Sequence, residues 1–166
     1  MKLNIGSGKN RLDGYVSVDP FVDGPGILNN FAWQLPFDYG SVEEIYCSHS
    51  LEHIPHDKLF DTLEEFYRVL RINGNLIIIC PDFEKVIKSW LKGDYFYRYG
   101  LGHDMIFGNQ LHDGQHHYTG FTKKRLSDIL YQFGFDVIEI KNQDNRHKRD
   151  RKAIPLGDIY VKAIKR

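Results

Sequence analysis

The apolar residues at the start of the chain come in short runs that end on glycine or on a carboxylate. Leu3 and Ile5 lead into Gly6-Ser7-Gly8, and Val16 and Val18 lead into Asp19. Short runs of this kind, bounded by turn residues, predict strands over residues 3–5 and 15–18. Pro20, Gly24, Pro25 and Gly26 then predict a loop, followed by a short edge strand over residues 26–29. Residues 42–47 predict a fourth strand. Leu76-Ile77-Ile78-Ile79-Cys80 is apolar without interruption and lies between Gly74 and Pro81, so it predicts a strand buried on both faces.

Between these runs the period changes to that of a helix. Leu59, Phe60, Leu63, Phe66, Tyr67 and Leu70 share one helical stripe, with His56-Asp57 as the expected N-cap and Asn73-Gly74 as the expected left-handed stop. Pro81-Asp82 opens a second helix running to about Lys92, with Phe83, Val86, Ile87, Trp90 and Leu91 on its apolar face. Thr122 caps a third, striped by Leu126, Ile129, Leu130 and Phe133 and ended by Gly134. Residues 135–140 and 158–164 alternate as strands with only a polar run, 141–152, between them, which predicts an antiparallel hairpin. The sum is an open α/β sheet, mostly parallel, closed by an antiparallel pair.

Composition narrows the class. A chain of 166 residues with 42% hydrophobic residues makes one domain, 1–166. Lys plus Arg and Asp plus Glu are both 22, so no overall charge advertises a nucleic-acid or membrane partner. No targeting segment and no apolar run of membrane-spanning length is visible, which makes a cytoplasmic protein the expectation. Cys47 and Cys80 each close a predicted strand; two isolated cysteines read as small buried apolar residues rather than as a redox pair. Residues 93–121 lose all periodicity and fill with aromatics, histidines and glycines, the expected substrate lid. Lys141, Arg146, Lys148, Arg149, Arg151 and Lys152 read as a solvated basic loop.

Gly-x-Gly followed by an acid on the next strand is how an open α/β sheet presents a nucleoside-bearing cofactor at its strand ends. A dinucleotide site needs a third glycine opening a helix toward a pyrophosphate, and none falls at that spacing. The chemistry therefore points to a ligand without a pyrophosphate.

The segments "LNIGSG", "GYVSVD", "LPFDYGSVEEIYCSHSLEHI", "RVLRINGNLIIICPD" and "GFTKKRLSDILYQFGF", in this order, make the chain resemble a small class I S-adenosylmethionine-dependent methyltransferase of the type-11-like group. The resemblance implies a Rossmann-like sheet of seven strands in the order 3-2-1-4-5-7-6, strand 7 antiparallel, with helices on both faces. It implies S-adenosylmethionine as cofactor, with Asn4, Gly6, Ser7, Gly8, Asp19, Pro20, Phe21, Asn30, Phe31, Ser48 and His49 around it. Of these, Gly6, Ser7 and Gly8 would line the methionine part, Asp19 the ribose, and Asn30 and Phe31 the adenine. Phe21 reads as a cover for the purine or as an anchor for its loop. Helices that commonly precede the first strand are not seen, so a second copy or a partner subunit covering the open site is a further implication.

Methyl transfer from a sulfonium needs positioning above all, and a base only when the acceptor must lose a proton. His49, His117 and Tyr118 are the candidates for that role, while His53 reads as a residue packed at the start of the next helix. His103, Asp104, His112, Asp113, His116 and His117 carry ligand chemistry, but Gly102 and Gly114 argue against a shared helix face, and no metal-ligand set is assigned. The expected function is methyl transfer to oxygen or nitrogen of a small-molecule or glycan acceptor. The alternatives are a non-catalytic cofactor-binding or scaffold subunit, and a metal-dependent hydrolase built on the histidines.

Overall fold

A computed structural model describes residues 1–92, 101–143 and 157–166. Its strands are β1 (Lys2–Ile5), β2 (Tyr15–Val18), β3 (Ile27–Leu28), β4 (Val42–Ser48), β5 (Leu70–Pro81), β6 (Phe135–Gln143) and β7 (Asp158–Lys165). They form one seven-stranded sheet in the order β3-β2-β1-β4-β5-β7-β6. Neighbours from β3 to β5 pair parallel, and β7 runs antiparallel to both β5 and β6. This is the topology expected from the chain.

The helices are α1 (Leu59–Val69), α2 (Phe83–Leu91), α3 (Leu101–Phe107) and α4 (Lys123–Gln132). Leu63 and Phe66 of α1 and Leu126 and Leu130 of α4 are sealed against Leu3, Ile45, Leu76 and Ile78 in one core. Ile79, one residue on and therefore on the other face of the sheet, is buried outside that cluster, as is Val86 of α2. Both faces are thus covered. Asp82 caps α2 by accepting from Lys85 N–H and also accepts from the Asn142 amide, while Thr122 caps α4 by accepting from Arg125 N–H. Gly134, at φ +85°, supplies the left-handed residue that turns α4 into β6. Cys47 and Cys80 are both buried free thiols, and burial pushes the Cys47 thiol up to about 12, so the inert apolar reading holds.

Four local expectations are corrected. His56 and Asp57 do not cap α1: they lie in a 3-10 turn, His56–Lys58, and the residue before α1, Lys58, makes no side-chain cap. The stop after α1 is not Asn73-Gly74, because Leu70 is already extended and pairs with Val42 as part of β5. Asn73, at φ +60°, instead sits in an irregularity that absorbs the register shift between Val42 and Glu44. The lid, expected to lack periodicity, carries the short helix α3, which includes Gly102, His103 and Asp104 but none of His112, Asp113, His116 and His117. Lys141 belongs to β6 rather than to the loop, whereas Arg146, Lys148, Arg149, Arg151 and Lys152 lie outside the described residues, as do 93–100 of the expected lid.

Lys165, past the expected end of β7, is fully buried. Its Nζ donates to Tyr67 O at 2.6 Å and Leu70 O at 2.8 Å and lies over the rings of Tyr39 and Tyr67. A cation is favoured there because the last carbonyls of α1 have no intrahelical donors. Lys165→Met is expected to cost about 2 kcal/mol, since two buried carbonyls lose their donor. A urea midpoint unchanged from the parent would refute that role.

Candidate functional site

The chain leaves β1 through Gly6, whose N–H donates to Val18 O at 2.8 Å, so the loop folds back over β2. Gly6 has φ +62°, and a Cβ built there would stand 2.1 Å from Ser50 Oγ and 2.4 Å from Ser50 Cβ. Only glycine allows both that dihedral and that approach. At the end of β2, Asp19 is buried; its Oδ2 accepts from Gly8 N–H at 2.8 Å and its Oδ1 from Phe21 N–H at 2.9 Å. One carboxylate therefore fixes the loops after β1 and β2, and each oxygen keeps further acceptor capacity.

These loops floor a cavity of about 400 Å³ at the C-terminal ends of β1, β2 and β4, within the size range of small-molecule sites. Gly6, Gly8, Asp19 and Pro20 form one side. Phe21, Asn30, Phe31 and Trp33 form an aromatic wall, in which Phe31 stacks on Trp33 at 4.5 Å and Phe21 meets Phe31 edge-on at 6.0 Å. His49, Ser50 and His53 follow from the end of β4, and Asp113, Gly114, Gln115 and Tyr118 close the cavity from the lid segment. A groove of about 410 Å³ between α1 and α4, lined by residues including Phe60, Arg125 and Ile129, lies away from the strand ends.

His49 occupies the left-handed region at φ +50°, uncommon for a residue with a Cβ, and its N–H donates to Ile79 O at 2.8 Å. Its ring stands between two buried carboxylates, with Nε2 3.1 Å from Asp158 Oδ2 and Nδ1 3.6 Å from Glu52 Oε1. Burial opposes the charge, but the hydrogen bond to Asp158 and the facing Glu52 carboxylate outweigh it and raise the imidazole to about 10. At neutral pH His49 is an imidazolium, so it supplies a positive charge and cannot take a proton. His117 is moved the opposite way: burial holds it below the ordinary histidine range, so it is neutral.

Of the residues singled out in the sequence, Gly6, Gly8, Asp19, Pro20, Phe21, Asn30, Phe31, His49 and Tyr118 line this cavity. Asn4, Ser7, Ser48 and His117 do not. Asn4 donates to Asn10 O beneath the loop, Ser7 Oγ donates to Gly8 O, and Ser48 is the last residue of β4. His117 packs edge-on against His53 and, with Glu52, borders a separate space of about 10 Å³. Trp33, Ser50 and His53 reach the cavity without having been assigned to it. Trp33 follows Phe31 by two residues, a spacing that a search for a stacked pair would have found; nothing local marks the other two.

Residues 21–78 match the family model described as a methyltransferase domain. No curated protein matches the sequence. Among solved structures, an S-adenosylmethionine-dependent methyltransferase from Methanosarcina mazei superposes with a TM-score of 0.69 at 16% identity, over 99% of this chain and 91% of that one. The 1,6-didemethyltoxoflavin-N1-methyltransferase of Burkholderia thailandensis, solved with bound 1,6-didemethyltoxoflavin and S-adenosylhomocysteine, gives 0.64 at 15% identity, over 99% and 70%. A Haloferax volcanii protein in complex with the Trm112 methyltransferase activator gives 0.64 at 12% identity, over 98% and 80%.

Proposed function

We propose, for a chain that carries the class I methyltransferase fold and a methyltransferase-domain match across residues 21–78, that it binds S-adenosylmethionine and transfers the methyl group to a small-molecule or glycan acceptor. The observation that carries this reading is the cavity at the strand ends, with a pinned carboxylate on one side and an aromatic wall on the other. The group fits these residues. Asp19 has acceptor capacity left for two ribose hydroxyls, Phe31 and Trp33 offer a flat apolar face for adenine, and the glycines at 6 and 8 leave room for the methionine portion. A purine against Phe21 also accounts for a phenyl ring 56% exposed at the cavity mouth.

The bound cofactor supplies an activated methyl group. The chain's own work is to place an acceptor atom in line with it and to exclude water. His49, its two ring nitrogens facing Asp158 and Glu52, spends its charge on those carboxylates and orders the cavity wall after β4. Tyr118, with Asp113 and Gln115 on the lid side, is placed to orient an acceptor by hydrogen bonding. His117 is neutral but stands outside the cavity, so it acts on an acceptor only through another group.

Gly6→Ala tests the floor of the site. The substitution forces a left-handed alanine against Ser50, and it is expected to weaken S-adenosylmethionine by at least about tenfold while the far-UV spectrum is retained. The activity itself is tested by incubating the protein with methyl-labelled cofactor and panels of phenols, amines, carboxylic acids and sugars. Label transferred to one class identifies the acceptor. Tight cofactor binding without transfer to any class would favour the scaffold-subunit alternative.

A further inference from the structure

Glu52 lies in the 3-10 turn Leu51–His53 that follows β4, and it is 2% exposed. Neither of its carboxylate oxygens meets a hydrogen-bond donor among the described residues. A buried carboxylate in that condition is costly unless a cation answers it. His49 Nδ1 stands 3.6 Å away, but that imidazole is also committed through Nε2 to Asp158. It is a counter-charge on one side of Glu52.

On another side the fold brings in two more histidines. One ligand atom from each of Glu52, His53 and His117 lies within 4.8 Å of the others. His53 Nδ1 is 3.0 Å from His116 O, and His117 Nδ1 is 3.1 Å from Met105 O. A backbone carbonyl can only accept, so each ring must carry its proton on Nδ1, which leaves the Nε2 lone pair available. Metal-binding histidines are held in this way, with one nitrogen donating to a carbonyl and the other facing the ion. The two rings meet edge to face at 4.6 Å. The backbone is fixed at the same point, because Tyr118 N–H donates to Glu52 O at 2.9 Å and His117 N–H to Phe107 O at 3.0 Å.

We propose that Glu52, His53 and His117 form a binding site for a divalent transition-metal ion, zinc or a close equivalent, at the back of the cofactor cavity. Two imidazole nitrogens and one carboxylate oxygen suit zinc or iron(II) and are a poor set for magnesium or calcium, which take oxygen ligands. The remaining ligand chemistry of the lid does not converge there. His103, Asp104, His112 and Asp113 are exposed, and among the described residues of that segment only His117 joins the cluster. His53 also lines the large cavity, so the ion would tie the lid segment to the end of β4 directly beside it.

This inference stands apart from the methyl-transfer reading, and its test uses no cofactor. Chelator-treated protein is titrated with zinc against a chromophoric competitor and with cobalt(II), whose visible d–d bands report nitrogen and oxygen coordination. The expected result is one tight equivalent, with both Glu52→Gln and His117→Gln weakening it by about a hundredfold or more. His112→Gln, an exposed histidine of the same segment, should leave it unchanged. Absence of a tight equivalent in the parent protein overturns the site. Equal binding by the parent and by His117→Gln also overturns it, because surface histidines would then be responsible. His117→Gln carries the test should Glu52→Gln fail to fold, which far-UV circular dichroism reports.

Discussion

Asp19→Ala is expected to reduce S-adenosylmethionine affinity by at least about a hundredfold while the domain stays folded. Two losses combine. The carboxylate is placed to accept from ribose hydroxyls, and a site built to hydrogen-bond such groups loses about 1.5–3 kcal/mol for each charge-assisted bond removed. The same carboxylate accepts from Gly8 N–H and Phe21 N–H, so its removal also releases the loop that floors the cavity and the loop that carries its aromatic wall. Asp19→Asn separates the two effects, because the amide oxygen can keep one backbone bond but not both. Its affinity should fall between those of the parent and of alanine. Calorimetric titration of the three proteins measures this, and an alanine variant that binds like the parent would remove Asp19 from the site.

The second large effect falls on stability. His49 is a cation facing Glu52 and Asp158, both buried, and its removal takes that charge from both. His49→Ala is expected to cost about 3 kcal/mol at neutral pH, the low end for breaking a buried pair, because one side of the ring faces the cavity. The pH dependence has a definite sign. The folded imidazole, at about 10, lies above its unfolded value near 6.5, so its stabilisation is complete below about pH 6.5 and is lost as pH rises through about 10. Urea unfolding of chelator-treated protein between pH 6 and 10 should therefore show stability falling across that window in the parent. The decline should be much flatter in His49→Ala. Parallel profiles would mean that His49 is not an imidazolium in the folded state.

Much of the fold was readable because periodicity is local. The five apolar runs, the stripe of α1 and the alternation of β6 and β7 fix element types, and the absence of a helical stripe in the sequence between the last two strands predicts their antiparallel pairing. What was misread lies where two local signals compete. Asn73-Gly74 has the composition of a helix stop, yet Leu70 already finds a strand partner in Val42, and pairing overrides the cap. The lid's mixture of aromatics, histidines and glycines hides a helical stretch as short as α3, in which Gly102 is tolerated.

The candidate site divides in the same way. Gly6, Gly8 and Asp19 announced themselves, since glycine at a strand end and an acid on the next strand have few other uses together. His49 stood out as a polar residue after β4, but its charge state depends on Asp158, far along the chain. The grouping of Glu52, His53 and His117 likewise exists only once the lid segment has folded onto the turn after β4. Lys165 gave no signal at all, because a lysine near a chain end ordinarily reads as solvated.

The most direct test of the account is a calorimetric titration of the purified protein with S-adenosylmethionine and, separately, with S-adenosylhomocysteine. A cavity floored by Gly6 and Gly8 and walled by Asp19, Phe31 and Trp33 predicts one site per chain with micromolar affinity for both. Failure of both ligands to bind at millimolar concentration would contradict the assignment of that cavity to the cofactor.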